Sequence, residues 1–258
     1  MKTWLRYSLS LVVAAALCAA AILVLLSDRK QKADIVCTGI SVTVEGEEQF
    51  VSDADIKRYI AGEYGTCLGR KCTGLELEKI EDILDNKSAV LKSEAWITYD
   101  GIMHICVSQR KPVVRFQKGD CGFYADERGY IFPLHPSYTA PVPTVKGNIP
   151  VNAGRNYRGA AGTEREREWI SGVITMLDYI GSRAEWKDRF DSITVRSNGD
   201  LVLGQTEGNE SFIFGSPDGY RDKLDRIATY YRRIAPAIGE GYYTSVNVKY
   251  NGQIVCRR

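Results

Sequence analysis

The sequence has little of what most chemistry needs. It holds two histidines and three methionines in 258 residues, too few for a histidine-rich metal or general-base centre. Charge is nearly balanced, with 34 Lys plus Arg against 32 Asp plus Glu, so the basic excess usual in a nucleic-acid binder is missing. There is no Gly-rich phosphate loop; "GSPDG" reads as a helix cap. Neither His104, mid-strand beside Ile102 and Ile105, nor His135, in a Pro-flanked loop, neighbours a nucleophile in a recognisable pattern. Asp126 and Glu127 could pair as glycosidase carboxylates, yet "ADERGY" reads more simply as a turn with a charged surface. No cofactor, metal, nucleic acid or small-molecule substrate is expected, and no catalytic residue.

Residues 9 to 26, "LSLVVAAALCAAAILVLL", run without a charge. As a helix, 18 residues reach about 27 Å, close to the ~30 Å hydrocarbon core of a bilayer. A cleaved signal peptide is the competing reading, with Lys2 and Arg6 as its positive start, but the apolar run passes any small-residue cleavage site. A retained transmembrane helix over 9–27 is expected, after a tail of 1–8 and before a charged linker of 28–34. Basic residues flank both ends, so charge alone leaves its orientation open. Six cysteines lie beyond it: Cys37, Cys67, Cys72, Cys106, Cys121 and Cys256. An even number suits disulfides in an exported domain, with Cys67 and Cys72 close enough to clip one loop. Packing as buried thiols is the other reading.

Downstream, Ser52 with Asp55 caps a helix "DADIKRYIA" that Gly62 should stop, and Thr73 with Glu76 forms a capping box for a second helix. "AWITYDGIMHICVSQR" reads as a hairpin about a two-residue Asp100-Gly101 turn, with Trp96 facing Ile105 and Thr98 facing Met103. The order is β-α-α-β-β, a two-layer α+β unit over about 35–111. From 112 to 258 the texture is β-rich, with Gly and Pro between short strands. Thr163 and Glu166 cap one helix there. Ser216-Pro217 starts another, which ends at Pro236 and carries Arg221, Lys223, Arg226, Arg232 and Arg233 on a solvated face.

The chain closes on "YYTSVNVKYNGQIVCRR", a hairpin about Asn251-Gly252. A two-residue turn pairs Tyr250 with Gln253, Val248 with Val255 and Val246 with Arg257. Val246, Val248, Tyr250 and Val255 would then cover a core, while Ile254 and Cys256 look outward. A final strand has no later segment that must cover it, so its edge is a template for another chain. Alternatively, Arg257 and Arg258 serve to block such pairing.

Taken in order, these stretches resemble the FtsQ/DivIB family of bacterial cell-division proteins, in the form of its Bacteroidetes-type branch. The first unit resembles a POTRA domain. "VSQRKPVVRF" is similar to that family's V-x-E-R-x-P-V-A junction, with Gln109 where Glu is usual; "FYADERGYIF" resembles its D-x-x-G-x-x-F stretch and "PTVKG" its L-P-x-l-x-G. The resemblance implies a non-catalytic, single-pass inner-membrane scaffold of the division septum, its tail cytoplasmic and its bulk periplasmic. It would bind FtsB/DivIC and FtsL-type coiled-coil proteins and help regulate septal peptidoglycan synthesis. The partner would add a strand along Lys249, Tyr250, Asn251, Gly252, Gln253, Ile254, Val255, Cys256 and Arg257. An envelope enzyme acting on peptidoglycan or another glycan is the alternative. A POTRA-bearing assembly factor would need a membrane barrel for which too few residues remain.

Overall fold

The computed structural model describes residues 35–48, 50–135, 138–239 and 241–258, with Leu17 and Ala19 in helical conformation. The expected membrane helix over 9–27 otherwise lies outside the described residues. Among those described, no helix is long and apolar enough to cross a membrane. Two compact units meet between Gln109 and Arg110.

The first unit runs β1 (Gly39–Glu45), α1 (Asp53–Glu63), α2 (Leu77–Asp85), β2 (Val90–Ile97), β3 (Ile102–Gln109). β3 lies between β1, parallel to it, and β2, antiparallel. Alternation along β3 sends Met103, Ile105 and Val107 to the buried face, and Ile56 and Ile60 of α1 and Ile80 and Leu84 of α2 are buried as well. The β-α-α-β-β order is therefore as expected. Ser52 does cap α1 with Asp55 as its reciprocal partner, but Gly62 lies inside the helix, which ends at Tyr64. The capping box expected at Thr73 is not formed. Thr73 belongs to a 3-10 turn (Cys72–Gly74), and α2 starts at Leu77 after Glu76, whose N–H donates to Tyr64 Oη at 2.7 Å. Gln109 is buried and ties down the chain before α1. Its Oε1 accepts from the N–H groups of Phe50 and Val51, both at 3.0 Å, and its Nε2 donates to Glu48 O at 2.6 Å. A Glu there could accept both bonds but could not donate the third.

The second unit is a ten-stranded mixed sheet in the order β13-β12-β11-β10-β9-β7-β4-β5-β6-β8. Its strands are β4 (Pro112–Lys118), β5 (Cys121–Asp126), β6 (Tyr130–Pro133), β7 (Thr144–Gly147), β8 (Gly159–Ala160), β9 (Phe190–Val195), β10 (Leu201–Gln205), β11 (Ser211–Gly215), β12 (Ser245–Asn247) and β13 (Val255–Arg257). Two helices cover it, α3 (Glu164–Ser182) and α4 (Tyr220–Thr229). α3 has the predicted Thr163–Glu166 capping box and buries Ile170, Val173, Met176, Leu177 and Ile180 along one stripe. These pack with Phe116, Ile193, Leu203, Phe212 and Phe214 of the sheet in one apolar core.

α4 departs from expectation at both ends. It begins at Tyr220, because Gly219 at its N-cap takes the left-handed conformation (φ 58°) and sets Ser216-Pro217 outside the helix. Pro236 does not end it. The helix widens into a π turn (Tyr230–Ile234) and resumes as α5 (Ala235–Ile238), where Pro236 lies in the first turn and needs no N–H. Nor is its basic face all solvated: Lys223 is buried, its Nζ donating to Ser216 O at 2.7 Å.

The hairpins expected at Asp100-Gly101 and Asn251-Gly252 share one correction. The expected two-residue turn would pair Trp96 with Ile105, but Trp96 pairs with His104 and Ile97 with Met103. The loop holds three residues, Tyr99-Asp100-Gly101, closed by Gly101 N–H to Thr98 O and Thr98 N–H to Ile102 O. Arg196 and Asp200 close Ser197-Asn198-Gly199 in the same way. The terminal ladder pairs Val246 with Cys256 and Asn247 with Val255, again one residue from expectation. In the first two loops the glycine is third and has positive φ (82°, 85°), the left-handed position of a three-residue loop, whereas a two-residue type I′ turn needs it at the second. Gly252 (72°) lies in the longer connection between Asn247 and Val255. One residue of slip turns every side chain to the opposite face.

Candidate partner-binding edge

β13 forms one end of the ten-stranded sheet, with β12 as its neighbour. The chain reaches it through a parallel pairing of β12 on β11, anchored by Ser211 N–H to Thr244 O and Val248 N–H to Ile213 O, both 3.0 Å. Val246 and Val248 are fully buried, as expected, and fasten the hairpin to the core. The remaining faces are the reverse of expectation. Ile254 and Cys256 are half-buried against the core, while Val255 (37% exposed) and Tyr250 (49%) point to solvent. Asn251, Gly252, Gln253 and Arg257 are exposed as well. The register slip described above is the cause for Ile254, Val255 and Cys256, whereas Tyr250 lies beyond the paired residues, in the connection between Asn247 and Val255.

Lys249 is committed within the unit. Its Nζ donates to Asp200 Oδ2 at 2.9 Å, raising the lysine pKa chiefly through that bond. Burial pushes the Asp200 carboxyl up, but bonds from Lys249 and Asn198 outweigh it and leave the pKa below the usual carboxylate value. Gly215 makes this approach possible: a Cβ there would lie 2.8 Å from Lys249 Cβ, on a backbone with φ +79°. Because the Asp200 pKa is depressed by folding, its contribution is present above about pH 4 and lost as pH falls through the folded value. Amides of the terminal hairpin should therefore lose hydrogen-exchange protection on acidification before the core strands do. Asp200→Asn should weaken that protection at neutral pH and flatten its acid dependence. An acid profile unchanged by the substitution would refute the link.

Two further supports were not legible in the residue pattern. Arg226, on the helix face expected to be solvated, donates from Nε to Val248 O at 2.9 Å. Glu210, 4% exposed, accepts from Gly241 N–H at 2.9 Å and Tyr230 Oη–H at 3.3 Å on Oε1, and from Gln205 Nε2 at 2.9 Å on Oε2. Burial first, then the Glu210 charge, pushes the Tyr230 phenol far above its usual range, so it remains a donor. The carboxylate joins β10, the π turn and the segment entering β12. A single Glu before a strand gives no hint of this in sequence.

Residues 111–257 match the family model described as FtsQ/DivIB, C-terminal related, and residues 35–108 match a POTRA-like domain. The chain belongs to the FtsQ/DivIB-related family. The first match alone spans more than half of its length. No curated protein matches it. Membership in the FtsQ/DivIB-related family implies a role in cell division, and the family is typically non-catalytic.

Two motifs of this FtsQ/DivIB-related chain now have physical content. Arg110, of the junction motif, donates from Nη1 to Asp126 Oδ2 at 3.1 Å and lies 3.6 Å over the Tyr130 ring. Asp126 Oδ1 accepts from the N–H groups of Arg128 at 3.0 Å and Tyr130 at 2.9 Å, closing the turn into β6. Asp126 is 5% exposed, not on a charged surface; Glu127 and Arg128 are the exposed charges of this turn. His104 stacks on Trp96 at 5.4 Å, its Nε2 3.2 Å from Thr98 Oγ1. All six described cysteines are free thiols, so the Cys67–Cys72 clip is not formed.

Proposed function

We propose that the protein is a non-catalytic scaffold of the division complex, held in the inner membrane by residues 9–27 with its tail cytoplasmic and its bulk periplasmic. The POTRA-like unit (35–111) localises it. The β domain (112–258) captures FtsB/DivIC and FtsL-type coiled-coil proteins by taking a partner strand along Lys249 to Arg257, and so helps regulate septal peptidoglycan synthesis. The observation that supports this is the position of β13 at the end of the sheet, fastened from behind by Val246, Val248 and Arg226. The envelope-enzyme alternative draws nothing from Asp126, whose oxygens are all taken up by Arg110 and the turn.

A strand of about six residues gains about four backbone bonds at ~1 kcal/mol net each, against ~1–2 kcal/mol per residue to order the guest backbone. Side chains must make up the difference, and Tyr250 and Val255 are the exposed apolar groups beside the edge. Sharing one membrane raises the effective concentration of the two proteins further. A photoreactive residue at Val255 in dividing cells should crosslink to small coiled-coil division proteins, and one at the exposed Glu168 of α3 should not. Equal yields from both positions, or none from Val255, would rule out docking on this edge.

A further inference from the structure

Three of the six described thiols converge on one corner of the first unit. An antiparallel bridge joins Val36 to Lys71, flanked by Cys37 N–H to Arg70 O and Cys72 N–H to Ile35 O, both 2.9 Å. Cys67 opens the turn that leads into this bridge, closed by Arg70 N–H to Cys67 O at 3.2 Å. The same turn returns to Cys37, whose carbonyl accepts from Gly69 N–H at 2.9 Å. The Cys37 backbone is thus held through both its N–H and its C=O by the turn that Cys67 begins. Cys37 and Cys67 are each 2% exposed. Burial first, and then the proximity of Cys37, pushes up the thiols of both Cys67 and Cys72, so Cys37 is the neighbour common to both. Cys72 is the weaker partner for Cys37. It lies diagonally across the bridge, about 7–8 Å away in such a ladder, against the ~4 Å Cβ separation of a disulfide.

We propose that Cys37 and Cys67 are a disulfide site, a bond stapling the entry to β1 onto the α1–α2 connection and leaving Cys72 a thiol. Its occurrence in the cell rests on the reading that this unit lies outside the inner membrane, where thiols meet oxidants. The oxidant is a disulfide of a small thiol or of an exported oxidoreductase. The Cys67 thiolate attacks one of its sulfurs and expels a thiolate. The Cys37 thiolate then attacks Cys67 Sγ in the mixed disulfide and expels the second. Two protons and two electrons leave the cysteine pair, and the oxidant is reduced to two thiols. Both residues are buried and burial disfavours the Cys67 thiolate, so the bond forms while the chain folds rather than in the closed corner.

The test refolds the full chain in detergent with reduced and oxidised glutathione, blocks free thiols with N-ethylmaleimide and maps linked peptides without reduction. The expected product joins Cys37 to Cys67, with Cys72 blocked. Reductant should lower the Tm of the first unit by about 10 °C, an effect absent from Cys37→Ala and from Cys67→Ala. Either variant suffices if the other fails to fold. Full blocking of Cys37 and Cys67 after oxidation, or a dominant Cys67–Cys72 link, would overturn the pairing. If the pair bonds in vitro but is trapped reduced in cells, the periplasmic setting fails, and with it the bond in the cell.

Discussion

Asp126→Ala should lower the stability of the second unit by about 3–5 kcal/mol, the cost of leaving a buried charge without its partner. The Arg110 guanidinium has little alternative solvation, and the N–H groups of Arg128 and Tyr130 lose their acceptor at the same time. In a unit of this size the shift corresponds to a fall in Tm on the order of 10 °C. Asp126→Asn separates the two roles. Its side-chain oxygen still accepts both backbone bonds, so only the charge pairing is lost, and the expected cost is about 1–3 kcal/mol. Adding Arg110→Met to Asp126→Asn should recover part of that loss, because the unpaired charge goes with it. Differential scanning calorimetry of the four proteins decides the matter. Equal melting of Asp126→Ala and the parent would mean the pair is energetically idle.

Val255→Pro should reduce partner capture by about 30-fold or more, while the β domain stays folded. Val255 is paired with Asn247 of β12, whose odd-numbered residues bond to β13, so proline there removes a ladder bond that holds β13 in line and bends the strand away from a guest. Losing two intermolecular bonds at ~1 kcal/mol each is about 2 kcal/mol, hence the factor. Val255 is the better probe than Ile254, since Ile254 packs on the core and Ile254→Asp would damage the hairpin it is meant to test. Pull-down from membranes gives the capture, and the near-ultraviolet dichroism of the β domain gives the fold. Undiminished capture by a folded Val255→Pro protein would eliminate strand addition at this edge.

Much of the fold was legible because its signals are local. Ser52-x-x-Asp55 and Thr163-x-x-Glu166 satisfy the orphan N–H groups of a helix start within four residues, so those starts could be read directly. Thr73-x-x-Glu76 has the same spelling and fails, because Leu75 is buried and the Tyr64 hydroxyl takes the Glu76 N–H. Asp100-Gly101 and Asn251-Gly252 reveal a turn but not its length. Local energy separates such turn lengths little, and burial of Met103, Ile105 and Val107 on one hairpin, and packing of Ile254 and Cys256 against the core on the other, chooses the register.

From the residues alone come the β-α-α-β-β order of the first unit, the β-rich second unit and the family to which both belong. Each of these depends on periodicity and short motifs, which the chain carries wherever it folds. The tertiary structure decided which face of the last hairpin looks outward, that Asp126 and Arg110 meet, and that Glu210 gathers three donors. Those outcomes depend on contacts between residues far apart in the chain, whose energies exist only once the sheet has closed.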